Sequence, residues 1–408
     1  MRTFGQIAIW LLLSAIIIVL VTYYSLIKID SGSWVPIFGI LAFWGLFSSI
    51  WFKRPFIRLA FFNSTVVFVA LLLGEAFLEY KFRFVVLQGD VVQEGDCTGP
   101  DFFQPDELLG YAPPQDGNFS CRKRSDNELI FDVTYSFKNG KRVIPNTNFS
   151  ADRQVLFLGC SFTFGEGLEA EETVSYLFNQ KSAKAFDIQN RGFSGYGPQH
   201  MLAMLQHRDL ELLRNAEAHH KAVYTFIPDH IRRAAGKIPW VRTGPRYEVV
   251  DGEIVYKGSF NFQSEEYQGT SANMRRIKTA LFKSRLFYQV FVFRDVTDKD
   301  IERTVAIIAE SARILEDSGY QFYMIFWDIH HLDYVFRGKQ FSYFVEQLSK
   351  RSINVLFASE VINPDEIEKY TIHPKDAHPN RLANEKLARL LLNVSNHHSS
   401  NEFVIQVD

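Results

Sequence analysis

The 408-residue chain has no surplus of basic residues: 44 Lys and Arg stand against 46 Asp and Glu, a net charge of -2. An electrostatic nucleic-acid binder needs such a surplus, so nucleic acid is not an expected partner. Cysteine is scarce, and the odd count of 3 allows one bridge and one leftover thiol. Cys97 and Cys121 flank a short polar segment; they would pair in an oxidising compartment or stand as two thiols in a reducing one. Cys160 is the remainder. The glycine-rich turn at 159–167 is not followed by Gly-Lys-Ser/Thr, which argues against a P-loop. A Gly-x-Ser-x-Gly elbow is missing as well, because Thr163 stands two residues after Ser161. Hydrophobic residues at 47% and charged residues at 22% are those of a folded chain, so disorder is not the whole-chain reading.

Charge is also absent from long stretches near the N-terminus. Residues 7–27 and 31–52 carry none, and residues 59–78 carry only Glu75 near their far end. Each is about the length that a bilayer core of roughly 30 Å requires. Lys53, Arg54 and Arg58 lie between the second and third stretches, and short basic loops stay cytoplasmic. Three spans put everything after residue 80 outside the cytoplasm; two leave it inside. The expectation is a multi-pass membrane anchor over residues 1–80 and a periplasmic or otherwise extracytoplasmic remainder, with the lipid bilayer as a partner.

Residues 81–150 read as a β-containing stalk or extension. The alternating run 130–137 and the run 141–145 are joined by Asn139-Gly140, a strong hairpin signal. From residue 151 to 396, short apolar runs alternate with amphipathic helical patterns; residues 397–408 are a tail. Strands are expected at 155–158, 186–189, 222–227, 322–327 and 353–357. Helices are expected at 172–179, 199–213, 300–317, 343–352 and 381–392. This alternation predicts an α/β domain with a parallel, doubly wound sheet. Ligands then sit beyond the carboxyl ends of the strands. Residues 232–299 interrupt the pattern with a hairpin at 247–256, either a lid or a decorating loop.

The strand-end residues carry the chemistry. Strand one runs into Gly159-Cys160-Ser161-Phe162-Thr163, and strand two into Asn190-Arg191-Gly192-Phe193-Ser194-Gly195-Tyr196-Gly197. Before the last helix comes Asp376-Ala377-His378-Pro379-Asn380. A serine, a late histidine and a nearby aspartate are the parts of a nucleophile, base and orienter set. These three blocks, in this order, resemble the SGNH (GDSL-like) hydrolase superfamily over about residues 151–396, with Cys160 where aspartate is usual. The resemblance implies a flavodoxin-like, three-layer α/β/α domain and ester chemistry without a cofactor. It implies Ser161 as nucleophile, His378 as general base and Asp376 as its orienter. The Ser161 and Gly195 N–H groups would belong to the oxyanion hole.

Two positions depart from the family pattern. Aspartate is usually three residues before histidine, whereas Lys375 stands there and Asp376 is two before. After strand three the family has an asparagine that donates to the oxyanion; here Ile227-Pro228-Asp229-His230 offers either Asp229 or His230. Asp328, His330 and His331 share the same rim, but adjacent loop histidines diverge, and no metal is expected. Arg191 could face an anionic group or form a structural pair.

The leading expectation is a membrane-anchored serine esterase or deacylase acting on an O-acylated, chiefly acetylated, extracytoplasmic glycan or lipid. The same triad could pass the acyl group to a sugar hydroxyl, making an O-acyltransferase of cell-surface polysaccharide modification, in company with cell-envelope glycan machinery. A catalytically inactive binding or assembly protein is the third expectation, motivated by Asp229.

Overall fold

The structure is a computed structural model that describes residues 10, 34–80, 91–125, 128–208, 219–260, 284–287, 296–329 and 332–397. The chain divides into two units, residues 1–90 with 265–294, and residues 91–264 with 295–408.

In the first unit, α1 (Val35–Trp51) and α2 (Pro55–Tyr80) are apolar. Among the described residues, Pro55–Leu78 is the one helix long and apolar enough to cross a membrane. Its Phe56, Leu59, Phe62, Leu73 and Phe77 are exposed. The expected second span is a 17-residue helix, roughly 26 Å long and short of the hydrocarbon thickness. The expected first span, residues 7–27, lies outside the described residues except for Trp10, so among the described residues one of the three expected spans is a full-length helix. Glu75 is buried, and its carboxylate accepts from Ser284 Oγ and the Leu286 N–H, both at 2.8 Å. The charge that interrupts the apolar pattern is thus hydrogen-bonded within the unit. The 284–287 segment of the long interruption belongs with these helices rather than with the second unit.

The second unit is built on a nine-stranded sheet. Its strands are β1 (Val91–Gly95), β4 (Gly117–Ser125), β5 (Glu128–Lys138), β6 (Lys141–Arg142), β7 (Gln154–Gly159), β8 (Asp187–Asn190), β9 (His220–Phe226), β12 (Tyr320–Phe326) and β13 (Val355–Phe357). Short pairs fill the remaining labels: β2 (Gln104–Asp106) with β3 (Gly110–Ala112), β10 (Pro245–Val250) with β11 (Glu253–Ser259), and β14 (Thr371–His373) with β15 (Asp376–Pro379). The sheet order is β1-β4-β5-β6-β8-β7-β9-β12-β13. From β8 to β13 the neighbours are parallel. From β1 to β8 they are antiparallel.

The expected purely parallel sheet is therefore mixed. The Asn139-Gly140 turn, with both residues at positive φ, folds β6 back on β5. Arg142 then pairs with Asn190, tying residues 91–142 to the edge of the parallel strands. Side chains along the parallel strands alternate between two buried clusters. Leu156 and Leu158 enter one with Phe322, Met324 and Phe326; Val155 and Phe157 enter the other with Tyr323 and Ile325. A strand buried on both faces needs apolar residues at every position, which is why these runs read as continuous.

Helices cover both faces. They are α3 (Ser161–Phe164), α4 (Val174–Lys181), α5 (Pro198–His207), α6 (His230–Ala234), α7 (Asp298–Asp317), α8 (Gln340–Ser349) and α9 (Arg381–His397). Renumbered from β7, the parallel strands run 2-1-3-4-5, and β7 lies between β8 and β9. In this doubly wound order the chain reverses direction across the sheet at β7 and β9, and ligands bind outside the strand ends there.

Candidate active site

Ser161 begins α3, immediately beyond β7, and is 6% exposed. Its Oγ lies 2.9 Å from His378 Nε2. His378 Nδ1 lies 2.5 Å from Asp376 Oδ1, and that oxygen also accepts from the His378 N–H at 3.1 Å. With Nδ1–H donated to the carboxylate, Nε2 is left as the acceptor for the serine hydroxyl. The short Asp-to-His spacing has a local cause. Both residues stand on β15, where positions i and i+2 share a face, so the carboxylate meets the imidazole without a longer loop. Lys375 occupies the turn between β14 and β15 and donates to Ser125 Oγ at 3.1 Å.

The second carboxylate oxygen of Asp376 is held by a residue that sequence reasoning missed. Lys123 Nζ, from β4, reaches Asp376 Oδ2 at 2.8 Å. The Asp376 side chain is 1% exposed, and Lys123 is largely covered. Burial works against the carboxylate, but His378 and Lys123 together hold it well below the usual range. Burial likewise disfavours protonated His378. Asp376 and then Glu166 outweigh it, so the imidazole titrates above its ordinary value.

The β8 end is pinned in place. Asn190 donates to the Thr163 carbonyl at 2.8 Å and accepts from the Gly192 N–H at 3.0 Å. Tyr111 donates to the Ser194 carbonyl at 2.9 Å, and Tyr196 to the Tyr111 carbonyl at 3.0 Å. Gly195 sits at φ +82, and an added Cβ would lie 2.3 Å from Tyr111 Oη. Only glycine fits that turn beside the nucleophile. Trp240, half exposed, donates from its indole to the Gly195 carbonyl at 3.3 Å. The interruption after β9 thereby contributes an aromatic ring to this rim.

Asp229 and His230 separate in role. His230 is fully buried; its Nδ1 lies 2.8 Å from Tyr224 Oη, and its ring packs edge-on against Phe226. Burial, with Arg233 adding to it, pushes His230 well below the ordinary histidine range. His230 is therefore a neutral, fully buried residue whose Nδ1 is turned to Tyr224, and among the described residues no contact joins it to Ser161, His378 or Asp376. Asp229 is partly exposed and pairs with Arg233 Nε at 3.2 Å, in the manner of an i,i+4 helix pair. Its charge is compensated from behind, and a carboxylate has no proton to donate.

Cys160, where the resemblance has aspartate, is fully buried, and burial pushes its thiol up. It stays a neutral, packed thiol beside Ser161. Arg142 is buried beneath the turn that begins at Ser161 and donates to the Phe164, Gly165 and Leu168 carbonyls. Asp328 accepts from the Ser359 N–H at 3.0 Å, and Arg191 donates to Gln189 at 3.3 Å from Nε and 3.2 Å from Nη2. His330 and His331 lie outside the described residues. Cys97 and Cys121 form a disulfide. A concavity of about 370 Å³ lies away from the triad, lined by Lys141, Thr147, Phe149, Asp187 and Gln189 among others, where β6 leaves β8.

Among known proteins, no family model and no curated protein matches the chain. Solved structures similar to it are GDSL-like lipolytic proteins and esterases at low identity. A lipolytic protein of the G-D-S-L family from Desulfitobacterium hafniense is 14% identical, with a TM-score of 0.32 over 58% of this chain and 98% of its own. An α/β hydrolase enzyme from the metagenome of Lake Arreo is 13% identical, with a TM-score of 0.33 over 61% of this chain and 97% of its own. A carbohydrate esterase is 12% identical, with a TM-score of 0.34 over 76% of this chain and 96% of its own. At these scores the likeness is too distant to assign chemistry.

Proposed function

We propose that the chain is a membrane-anchored serine esterase of the SGNH type, acting on an O-acylated, chiefly acetylated, glycan or lipid outside the cytoplasm. The unbroken hydrogen-bonded line from Ser161 Oγ through His378 to Asp376 carries this reading. His378 Nε2 takes the hydroxyl proton as Ser161 Oγ attacks the ester carbonyl. The backbone N–H groups of Ser161 and Gly195 receive the developing oxyanion, and each such donor is worth on the order of 10²–10³ in rate. The proton then passes from Nε2 to the leaving alcohol, and the acyl group stays on Ser161. Water repeats the attack with His378 again as base, releasing the acid and the free serine. Asp376 keeps its negative charge throughout and steadies the imidazolium.

Three observations support the setting. The apolar side chains along α2 are uncovered, which suits a bilayer. The Cys97–Cys121 bridge suits an oxidising compartment. Half-exposed Trp240 beside Gly195 offers a flat apolar face of the kind on which a sugar ring packs. A cell-envelope glycan fits these features together. The test is labelling of the full chain in detergent by a fluorophosphonate. Wild type reacts at Ser161, Ser161→Ala does not, and His378→Ala reacts slower by at least about 10³-fold. A folded wild-type protein that resists labelling and turns over no acetyl ester overturns the proposal.

A further inference from the structure

Ser161 and Glu166 lie at the two ends of one tight turn. Gly165 and Gly167 flank Glu166 at φ +80 and +77; a Cβ at Gly165 would meet Thr173 at 2.6 Å, and one at Gly167 would meet Ile372 at 2.6 Å. The Gly165 and Glu166 N–H groups both donate to the Ser161 carbonyl, at 2.8 and 3.0 Å. The Gly167 N–H donates to Tyr135 Oη at 2.8 Å. The backbone of Glu166 is therefore fixed relative to the nucleophile.

Its carboxylate points to the working side of the base. Glu166 Oε2 lies 4.0 Å from His378 Nε2, the nitrogen that faces Ser161, and accepts from Ser194 Oγ at 2.7 Å. Ser194 adjoins Gly195 in sequence, so through this hydroxyl the carboxylate is linked both to the base and to the turn that carries Gly195. Glu166 is partly buried, and among the described residues no lysine or arginine pairs with it, nor does a donor reach its other oxygen. Asp376, by contrast, has both Lys123 and His378. Glu166 thus has Ser194 Oγ and the His378 ring as its polar neighbours, while Arg142, beneath the same turn, is directed at backbone carbonyls instead.

His378 Nε2 hands its proton to the alcohol oxygen of the ester, so the group beside Nε2 meets the alcohol half of the substrate. We propose that Glu166, supported by Ser194, is a specificity-determining residue that binds a hydrogen-bond-donating or cationic alcohol moiety and rejects an anionic one. The inference rests on the serine-esterase reading and names its alcohol-side subsite. A vicinal hydroxyl and a quaternary ammonium separate the two ways of satisfying a carboxylate, the first by hydrogen bonding and the second by charge alone.

The test compares three acetyl thioesters on the full chain in detergent, each followed by thiol release. Their thiol halves are thiocholine, thioglycerol and mercaptoethanesulfonate. Wild type should favour the first two over the sulfonate by about tenfold or more in kcat/KM, as expected for one charge contact in a partly buried site. Glu166→Gln should contract the thiocholine-to-sulfonate ratio by about tenfold, Glu166→Asp should keep part of it, and Ser194→Ala should preserve its direction. A thioglycerol preference that survives Glu166→Gln while the thiocholine preference collapses limits Glu166 to charge recognition and overturns the hydrogen-bonding half of the proposal. If Glu166→Gln scales all three esters by one factor, Glu166 acts only through His378 and the inference is overturned, while Ser161 labelling leaves the esterase reading intact. Wild type that neither labels nor turns over any ester overturns both.

Discussion

Lys123→Met is the perturbation that most directly reads the electrostatics of the triad. The ammonium lies 2.8 Å from one oxygen of Asp376, whose other oxygen lies 2.5 Å from His378 Nδ1. One carboxylate thus separates the two cationic groups, with roughly 6 Å between their nitrogens. At an effective dielectric of about 20 this corresponds to about 3 kcal/mol of repulsion toward protonated His378. Residual solvent at Lys123 screens part of it, leaving on the order of one pKa unit. The sign follows from the charge. Lys123 disfavours the imidazolium, so its removal raises the pKa of His378 further above the ordinary value. His378 must be neutral to accept the serine proton, so activity falls on the acid side as pH drops through that pKa. The assay is the rate of fluorophosphonate labelling of Ser161 against pH in detergent. The acid limb should move up by about one unit in Lys123→Met and stay near wild type in Lys123→Arg. A limb that stays put or moves to lower pH in a folded Lys123→Met protein refutes the reasoning.

Two predictions concern stability. Arg142→Met removes a buried guanidinium, which burial has pushed down to about 10, and strips donors from the Phe164, Gly165 and Leu168 carbonyls. Urea unfolding should show a loss of about 3 kcal/mol or more, with Ser161 labelling falling alongside; unchanged labelling would show that the turn holds without the clamp. Reducing the Cys97–Cys121 bridge, or changing both residues to serine, frees a loop with a sequence separation of 24. The chain-entropy cost is about 3 kcal/mol, so Tm should drop by roughly 6–12 °C by differential scanning calorimetry.

Much of the parallel half of the sheet was legible because its strands are buried on both faces and bounded by glycine, asparagine and aspartate. The expected run at 155–158 lies inside β7, and that at 322–327 overlaps all but the start of β12. The turn that carries Ser161 stood out because polar residues directly follow the apolar run 155–158, and the Asp376-x-His378 pair because it lies just before the last helical pattern. The antiparallel half was legible as a hairpin but not as part of the same sheet. The hairpin meets the parallel strands through one ladder pair, Arg142 with Asn190, and through packing between residues remote in sequence, such as Phe137 on Phe164 and Phe193, which nothing local encodes. Lys123 was invisible because its partner is 253 residues away and its strand looks like any polar, solvated one. His230 misled because strand-end position was taken as exposure, whereas the first turn of α6 folds its side chain back onto Tyr224. Glu166 was in plain view within the glycine-rich turn, but its meaning depends on where His378 stops.

The segment between the apolar helices and the nucleophile touches the site twice. Lys123 of β4 steadies the triad aspartate, and Arg142 of β6 clamps the turn that presents Ser161. Both contacts depend on strand register: a slip of one residue would point Lys123 to the opposite face of the sheet. A fragment begun at residue 151 would retain every residue of the triad and lose what sets its acidity and holds its nucleophile still.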